Sequence, residues 1–533
     1  MRRFAGLDGA FLAFESPAAP LHIVGAMVFD PSDVPGGVGF EDVRALVARR
    51  LPRVPPFRQR AVAVPFGIDH GGLVDDPSFD LDYHVRRSAL PRPGGRAELA
   101  AAVADIAERP LDRSRPLWEF HVVEGVEGGR FALVTKVHHA IIDGVSGAEL
   151  LAAFFDLTPH PGPQPVDPET WSPPPVPGEL GMVRDALGEL PARIEGIVRA
   201  TAGTVRLARR LSGRNREVGG TLPPSPFDAP RTSINGSVSP HRRVALADVP
   251  MVSVDEVRSH LGGSVNDVVL VLVAGGLRRL FAARGEAPDS SLVAMVPVSV
   301  RREDERGTLG NRVAAMLVST ASGVADHAAR LRLVAEDMAK AKEQHALVGA
   351  EPFATWADAL APAVATRLAR LATNLRVFDR LPPPFNLVVS NVPGPREDLY
   401  LAGARLESLH PFGPIADGVG VNVTVFSYGG TLFVGVTGCR DLAGDVDVLA
   451  AGIERTAAEL VAHVRRADRP VPWWNAGSVP PRHRADDVDD APADGDLADG
   501  ELADVELPPW LAARLARRRA HVAGEGRAVP GAG

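Results

Sequence analysis

Cysteine is almost missing from this sequence. The one thiol, Cys439, has no internal partner, which excludes a disulfide framework and fits a reducing compartment. Its expected role is that of a small core residue. Long apolar runs are missing too. The longest, residues 268–277, stops at Arg278 and Arg279 and is too short to cross a bilayer, so any membrane contact is expected to be peripheral. No secretory signal is expected, because Asp8 and Glu15 interrupt the apolar stretch that follows Arg2 and Arg3. There is no excess of positive charge: the net charge of -8 argues against a nucleic-acid partner. Several chemistries also lack their signature. No G-x-S-x-G elbow is present and Cys439 has no matching motif, so a Ser or Cys covalent mechanism is poorly supported. No Gly-rich phosphate loop precedes a helix, and no H-E-x-x-H puts two imidazoles on one face for a metal.

What is present is a chain of 533 residues, 45% hydrophobic and 23% charged, which is too long for one core and reads as a soluble protein of two or more domains. Residues 1–158 alternate strand and helix patterns. Strands are expected at 21–29, 79–85, 120–123 and 131–137, the last two as a hairpin around Gly125, Gly128 and Gly129. Helices are expected at 40–50, 96–108 and from Val145. Residues 159–230 comprise a Pro-rich linker and a helical stretch, 179–211, tilted to positive charge by Arg184, Arg193, Arg199, Arg206, Arg209 and Arg210. That stretch reads either as a solvated helix between domains or as an amphipathic helix on an anionic lipid surface. Residues 231–466 form a second mixed domain. Ser264-Val265-Asn266-Asp267 reads as a helix start, with side chains that can cap free backbone amides. Residues 292–298 and 386–390 read as strands, Asn391-Val392-Pro393-Gly394-Pro395 as a rigid crossover turn, 419–427 and 432–436 as a hairpin, and 449–465 as a final amphipathic helix. Residues 467–533 are expected to be a disordered acidic tail with a short basic end.

The most specific stretch is 131–151, FALVTKVHHAIIDGVSGAELL. An apolar strand leads into His138 and His139, then Asp143-Gly144, then a helical pattern. Neighbouring side chains of a strand point to opposite faces, so one imidazole at most faces a given cavity. Imidazole is the side chain suited to take a proton near neutral pH. A lone buried histidine is usually a satisfied core residue, but a pair with an Asp-Gly turn behind it is a more specific catalytic signal. A base without a covalent nucleophile points to direct transfer between two bound substrates.

His138-His139-Ala-Ile-Ile-Asp143-Gly144 resembles the HHxxxDG motif of the CoA-dependent acyltransferase superfamily. Leu7-Asp8-Gly9-Ala10-Phe11-Leu12, Pro116-Leu117-Trp118, Arg231-Thr232-Ser233-Ile234-Asn235-Gly236, Asn266-Asp267 and Ser390-Asn391-Val392-Pro393-Gly394-Pro395 narrow the resemblance to the bacterial wax ester synthase / diacylglycerol acyltransferase family, from about Leu7 to Arg466. The resemblance implies an α/β (α+β) fold of two chloramphenicol-acetyltransferase-like halves with a substrate tunnel between them. It implies transfer of a long-chain acyl group from acyl-CoA, a co-substrate with no further cofactor or metal, to diacylglycerol or a long-chain alcohol. It implies His139 as the general base, His138 as a supporting group on the opposite face and Asp143 as a brace of the turn. Gly144, Pro116, Leu117, Trp118, Asn266, Asp267, Ser390 and Asn391 would border the substrates, with Trp118 packing and Asn266-Asp267 a helix start first. Asn422 and Thr424 stand as candidate oxyanion donors, with a plain strand interior as the alternative. The implied place is the cytoplasm, in peripheral contact with a membrane or lipid droplet. Two other readings stay open: a carrier-protein-dependent condensation-type acyltransferase, and a non-catalytic lipid-surface protein.

Overall fold

Two six-stranded sheets carry the molecule. The structure is a computed structural model that describes residues 1–4, 6–142, 153–161, 176–193, 195–199, 201–203, 224–288, 290–299, 313–348 and 361–466. Across the first sheet the strands run Tyr400–Leu401, Ala404–Phe412, His22–Asp30, Arg130–His138, Trp118–Val126 and Val85–Ala89. All of its pairings are antiparallel except that of the last two. Across the second they run Val313–Ser319, Val293–Ser299, Leu387–Pro393, Val421–Tyr428, Thr431–Cys439 and Arg242–Pro250. Here Leu387–Pro393 is parallel to both neighbours.

The halves are not separate in the chain. Ala404–Phe412 lies between two stretches of the second sheet yet pairs along His22–Asp30 of the first, with a register shift between Leu406 and Ser408. The chain leaves the second sheet after Pro393. Gly394 makes the exit possible: a Cβ there would lie 2.2 Å from the carbonyl oxygen of Ser427.

Local chemistry accounts for most helices. Ser264 caps Val265–Ala283, its hydroxyl accepting from the Asp267 amide at 3.3 Å while the Asp267 carboxylate accepts from the Ser264 amide at 2.7 Å. That helix is buried along nearly its whole length, because it lies between the second sheet and the helices His327–Val348 and Val446–Arg466. Its Gly275-Gly276 pair permits the close approach: a Cβ on Gly276 would meet the Leu449 carbonyl at 2.6 Å. Phe40–Arg50 and Arg96–Glu108 match the helical patterns of the sequence. Residues 79–85, expected as a strand, differ. Asp80 accepts from the Asp82 amide at 3.0 Å and starts a helical turn, Leu81–His84, so the strand begins only at Val85. Where the basic helix was expected, a helix spans Glu179–Gly188, and further helical residues follow a turn at Glu189 as far as 203. Arg193 is not free for a surface: it donates to the Ile68 carbonyl and Asp69. Residues 204–211, most of the helix expected from Val145, and the 467–533 tail lie outside the described residues. Cys439 is fully buried, with its sulfur 3.3 Å from the Ser239 amide.

Candidate active site

The Arg130–His138 strand ends at the first histidine, and His139 opens a short helical turn, His139–Ile142. This change of backbone, not strand alternation alone, sends the two imidazoles to different surroundings. The strand is held at its end from both sides: the His138 amide donates to the Leu117 carbonyl and the His139 amide to the Leu21 carbonyl, each at 3.0 Å.

His138 is fully buried, with one ring nitrogen hydrogen-bonded and the other facing a carboxylate. Nδ1 accepts from the Ala140 amide at 3.0 Å, which leaves the proton on Nε2, 3.5 Å from Oε1 of Glu15. Burial raises the Glu15 pKa, but His138 and Arg113 outweigh it and hold the carboxyl at about 2. Arg113 donates to Oε2 of Glu15 through Nε at 3.0 Å and Nη2 at 2.5 Å. Thus His138 is the end of an Arg113–Glu15 relay that fixes its tautomer.

His139 is only partly buried by its neighbours. One face of its ring stacks on Phe11, with centroids 4.7 Å apart and planes 19° apart. Its pKa is lowered to about 4, first by burial and then by repulsion from His138. It is therefore a neutral imidazole at pH 7, with its basic nitrogen free of any hydrogen bond among the described residues. Phe11 and Glu15 come from the opening helix, Gly6–Phe14, and its end. Gly9 lets that helix sit tightly: a Cβ there would lie 2.3 Å from Nδ1 of His70. The sequence flagged this segment as a motif, but Phe11, Glu15 and Arg113 were not among the expected site residues. A Glu just past an aromatic helix is the only local hint.

The other expected residues divide. Asn391 Nδ2 donates to Asn266 Oδ1 at 2.7 Å, so these two meet across the second half, and Ser390 precedes Asn391 on the same strand. Asp267 is buried and occupied by the helix cap. Leu117 and Trp118, named among the residues that would border the substrates, are completely enclosed, and Trp118 packs as expected. The Trp118 indole donates to the Phe57 carbonyl at 2.8 Å and its ring stacks on Phe57 and His84. Pro116 is bridged to Arg60 in a short backbone pairing, which makes the whole tripeptide a support under the His138 end of the strand. Asn422 and Thr424 follow the strand-interior alternative: the Thr424 hydroxyl donates to Asn422 Oδ1 at 2.8 Å and Asn422 Nδ2 to the Pro414 carbonyl at 3.0 Å. The Arg231–Gly236 motif proves to be a clamp, with Asn235 Nδ2 donating to the carbonyls of Asn386 and Gly418. Asp143 and Gly144 lie outside the described residues. Among the described residues no group of His, Cys, Asp and Glu is arranged to hold a metal ion.

A two-lobed mixed fold with this histidine pair at a strand exit defines an acyltransferase of the HHxxxDG type. Comparison with known proteins narrows the class. Residues 4–269 match the model of the wax ester synthase/diacylglycerol acyltransferase catalytic domain, and residues 309–460 that of the family's C-terminal domain. A protein of Mycobacterium tuberculosis named for diacylglycerol O-acyltransferase activity is 36% identical over 463 residues, 86% of this chain and 90% of its own length. Another from that organism, likewise named, is 38% identical over 80% of this chain and 90% of its own. The solved wax ester synthase/diacylglycerol acyltransferase of Marinobacter aquaeolei VT8 aligns with a TM-score of 0.61 at 27% identity, covering 87% of this chain and all of that one. This chain belongs to the wax ester synthase/diacylglycerol acyltransferase family.

Proposed function

We propose that the chain moves a long-chain acyl group from acyl-CoA to the hydroxyl of diacylglycerol or of a long-chain alcohol, without a covalent acyl-enzyme. The observation that carries this reading is His139: an imidazole neutral at pH 7, braced by Phe11, with no hydrogen bond at its basic nitrogen among the described residues. His139 takes the acceptor's hydroxyl proton. The alkoxide oxygen forms a bond to the thioester carbonyl carbon, the C–S bond breaks, and the imidazolium returns its proton to the departing thiolate to give free CoA. His138, Glu15 and Arg113 hold the turn. The resemblance implies that Asp143 would brace it further and Gly144 would give room at the tunnel, with Asn266, Ser390 and Asn391 bordering the substrates. The names of the mycobacterial relatives favour diacylglycerol as the acceptor. Apolar substrates of both kinds favour a peripheral station on a membrane or lipid droplet, and no helix among the described residues is long and apolar enough to cross a membrane.

The test is a competition assay. Purified chain is given palmitoyl-CoA with diacylglycerol and hexadecanol together, and both products are quantified. Formation of triacylglycerol, wax ester or both supports the reading, and their ratio sets the preference. No ester with either acceptor, or turnover only when the acyl group is offered on a carrier protein, contradicts it.

A further inference from the structure

Helices on a protein surface turn their apolar stripe inward. Pro362–Asn374 does the reverse. Val364, Leu368 and Leu371, together with Leu375 just beyond the helix, recur at helical spacing and are 45%, 56%, 54% and 52% exposed. The inner face is carried by small residues: Ala365 is buried, and the Thr366 hydroxyl donates to the Ala13 carbonyl at 3.0 Å.

The stripe has apolar company. Phe14, the last residue of the opening helix, is exposed one position beyond Ala13. On another side Gly67 lies against Ala363, where a Cβ would approach to 3.0 Å. The residue before it, Phe66, takes the left-handed backbone conformation at φ 62° with its ring 85% exposed. A bulky residue with positive φ is strained, and here the strained turn holds an aromatic ring out in water.

Charge borders the patch. Arg367, Arg370, Arg376 and Arg380 are exposed, and residues 361–381 contain only one acid, Asp379. That carboxylate already accepts from the Ser237 amide at 2.7 Å. A chain of net charge -8 thus gathers cations around its exposed apolar stripe.

We propose that this face docks on an anionic lipid surface, with the leucines in the acyl boundary and the arginines among the headgroups. The proposal rests on the acyltransferase reading and names the surface from which its lipid acceptor is drawn. The stripe belongs to a helix packed on the one that carries Phe11, so docking sets the lipid beside the His139 turn. A second copy of the chain is disfavoured as occupant, because a two-fold contact through this stripe would set the arginines of one copy against those of the other.

The test is co-sedimentation of the full chain with vesicles of phosphatidylcholine alone and of phosphatidylcholine with phosphatidylglycerol. The wild type is expected to sediment with the anionic vesicles. Leu368→Glu/Leu371→Glu, both surface changes, is expected to keep its melting temperature and lose about tenfold or more in vesicle affinity. Arg367→Gln/Arg370→Gln is expected to lose binding only to the anionic vesicles. Transfer to vesicle-borne diacylglycerol should fall with docking, while transfer to a water-soluble short-chain alcohol persists. The proposal is overturned if the wild type binds neither vesicle, if the leucine variant binds as the wild type does, or if that variant only splits a dimer. Absence of ester with every acceptor would defeat the acyltransferase reading, and sedimentation would still decide the docking face.

Discussion

At the scale of single residues, the two adjacent histidines differ in what their nitrogens touch. At His138 the Ala140 amide occupies one and Glu15 faces the other at 3.5 Å. His139 offers an aromatic-backed, neutral ring with a pKa of about 4. Its active form is the deprotonated one, so kcat/KM should be level from neutral pH downward and fall only as pH drops towards 4. A profile measured with a soluble acceptor checks this, and an acid limb centred near 6.5 would mean that the base is exposed to water. Glu15→Gln keeps the shape but removes the charge that orients His138. Its expected effect is a fall of about tenfold in kcat with KM little changed, and rapid kinetics with saturating acyl-CoA measure it. The histidine motif itself was legible in the sequence. Its supports were not, because Arg113 and Glu15 stand 98 residues apart and only the fold joins them. Pro116-Leu117-Trp118 was legible as support: Trp118 is enclosed and stacked on Phe57, the packing role expected of it.

At the scale of elements, capping and periodicity served well where structure is local. The Ser264 helix start and the helices Phe40–Arg50 and Arg96–Glu108 follow from their own residues. Ala404–Phe412 does not. Its place is decided by His22–Asp30, a partner almost four hundred residues away in sequence that no periodicity reveals. Glycines inside helices carry the other non-local message. Gly276→Ala should destabilise by about 1–3 kcal/mol, despite the better helix propensity of Ala, because a backbone carbonyl blocks the Cβ. Gly181→Ala, where nothing lies within 4 Å, should be neutral or stabilising by up to about 1 kcal/mol. Urea denaturation of the pair distinguishes packing from propensity, and equal effects would contradict the close helix contact.

At the scale of the whole molecule, the halves are tied by strand exchange and by polar contacts such as the hydrogen bond between His410 and Asp248, 2.7 Å apart across the two sheets. Four groups with shifted pKa values make stability depend on pH. His22 and His139 have folded pKa values of about 3 and about 4, lowered from 6.5 by burial first and by neighbouring cations or imidazole second. Their unfolded forms take up protons that the folded forms refuse, so stability should be full above about pH 6.5 and decline below it. Glu15 and Glu119 are each held at about 2, below 4.5, by basic partners that outweigh burial, and their contribution is lost in turn as pH falls from 4.5 towards 2. A urea midpoint that stayed constant between pH 7 and pH 4 would refute this linkage.

The central claim is direct, base-assisted transfer at His139, and release of free CoA from a long-chain acyl-CoA measures it. The purified chain should release CoA continuously when diacylglycerol or a long-chain alcohol is supplied, with no burst of acylated protein. His139→Ala should lower that rate by about 10²- to 10⁴-fold, and His138→Ala should do less harm, mostly through a lower melting temperature. Full CoA release by His139→Ala, or a stable acylated chain in the absence of acceptor, would contradict the account.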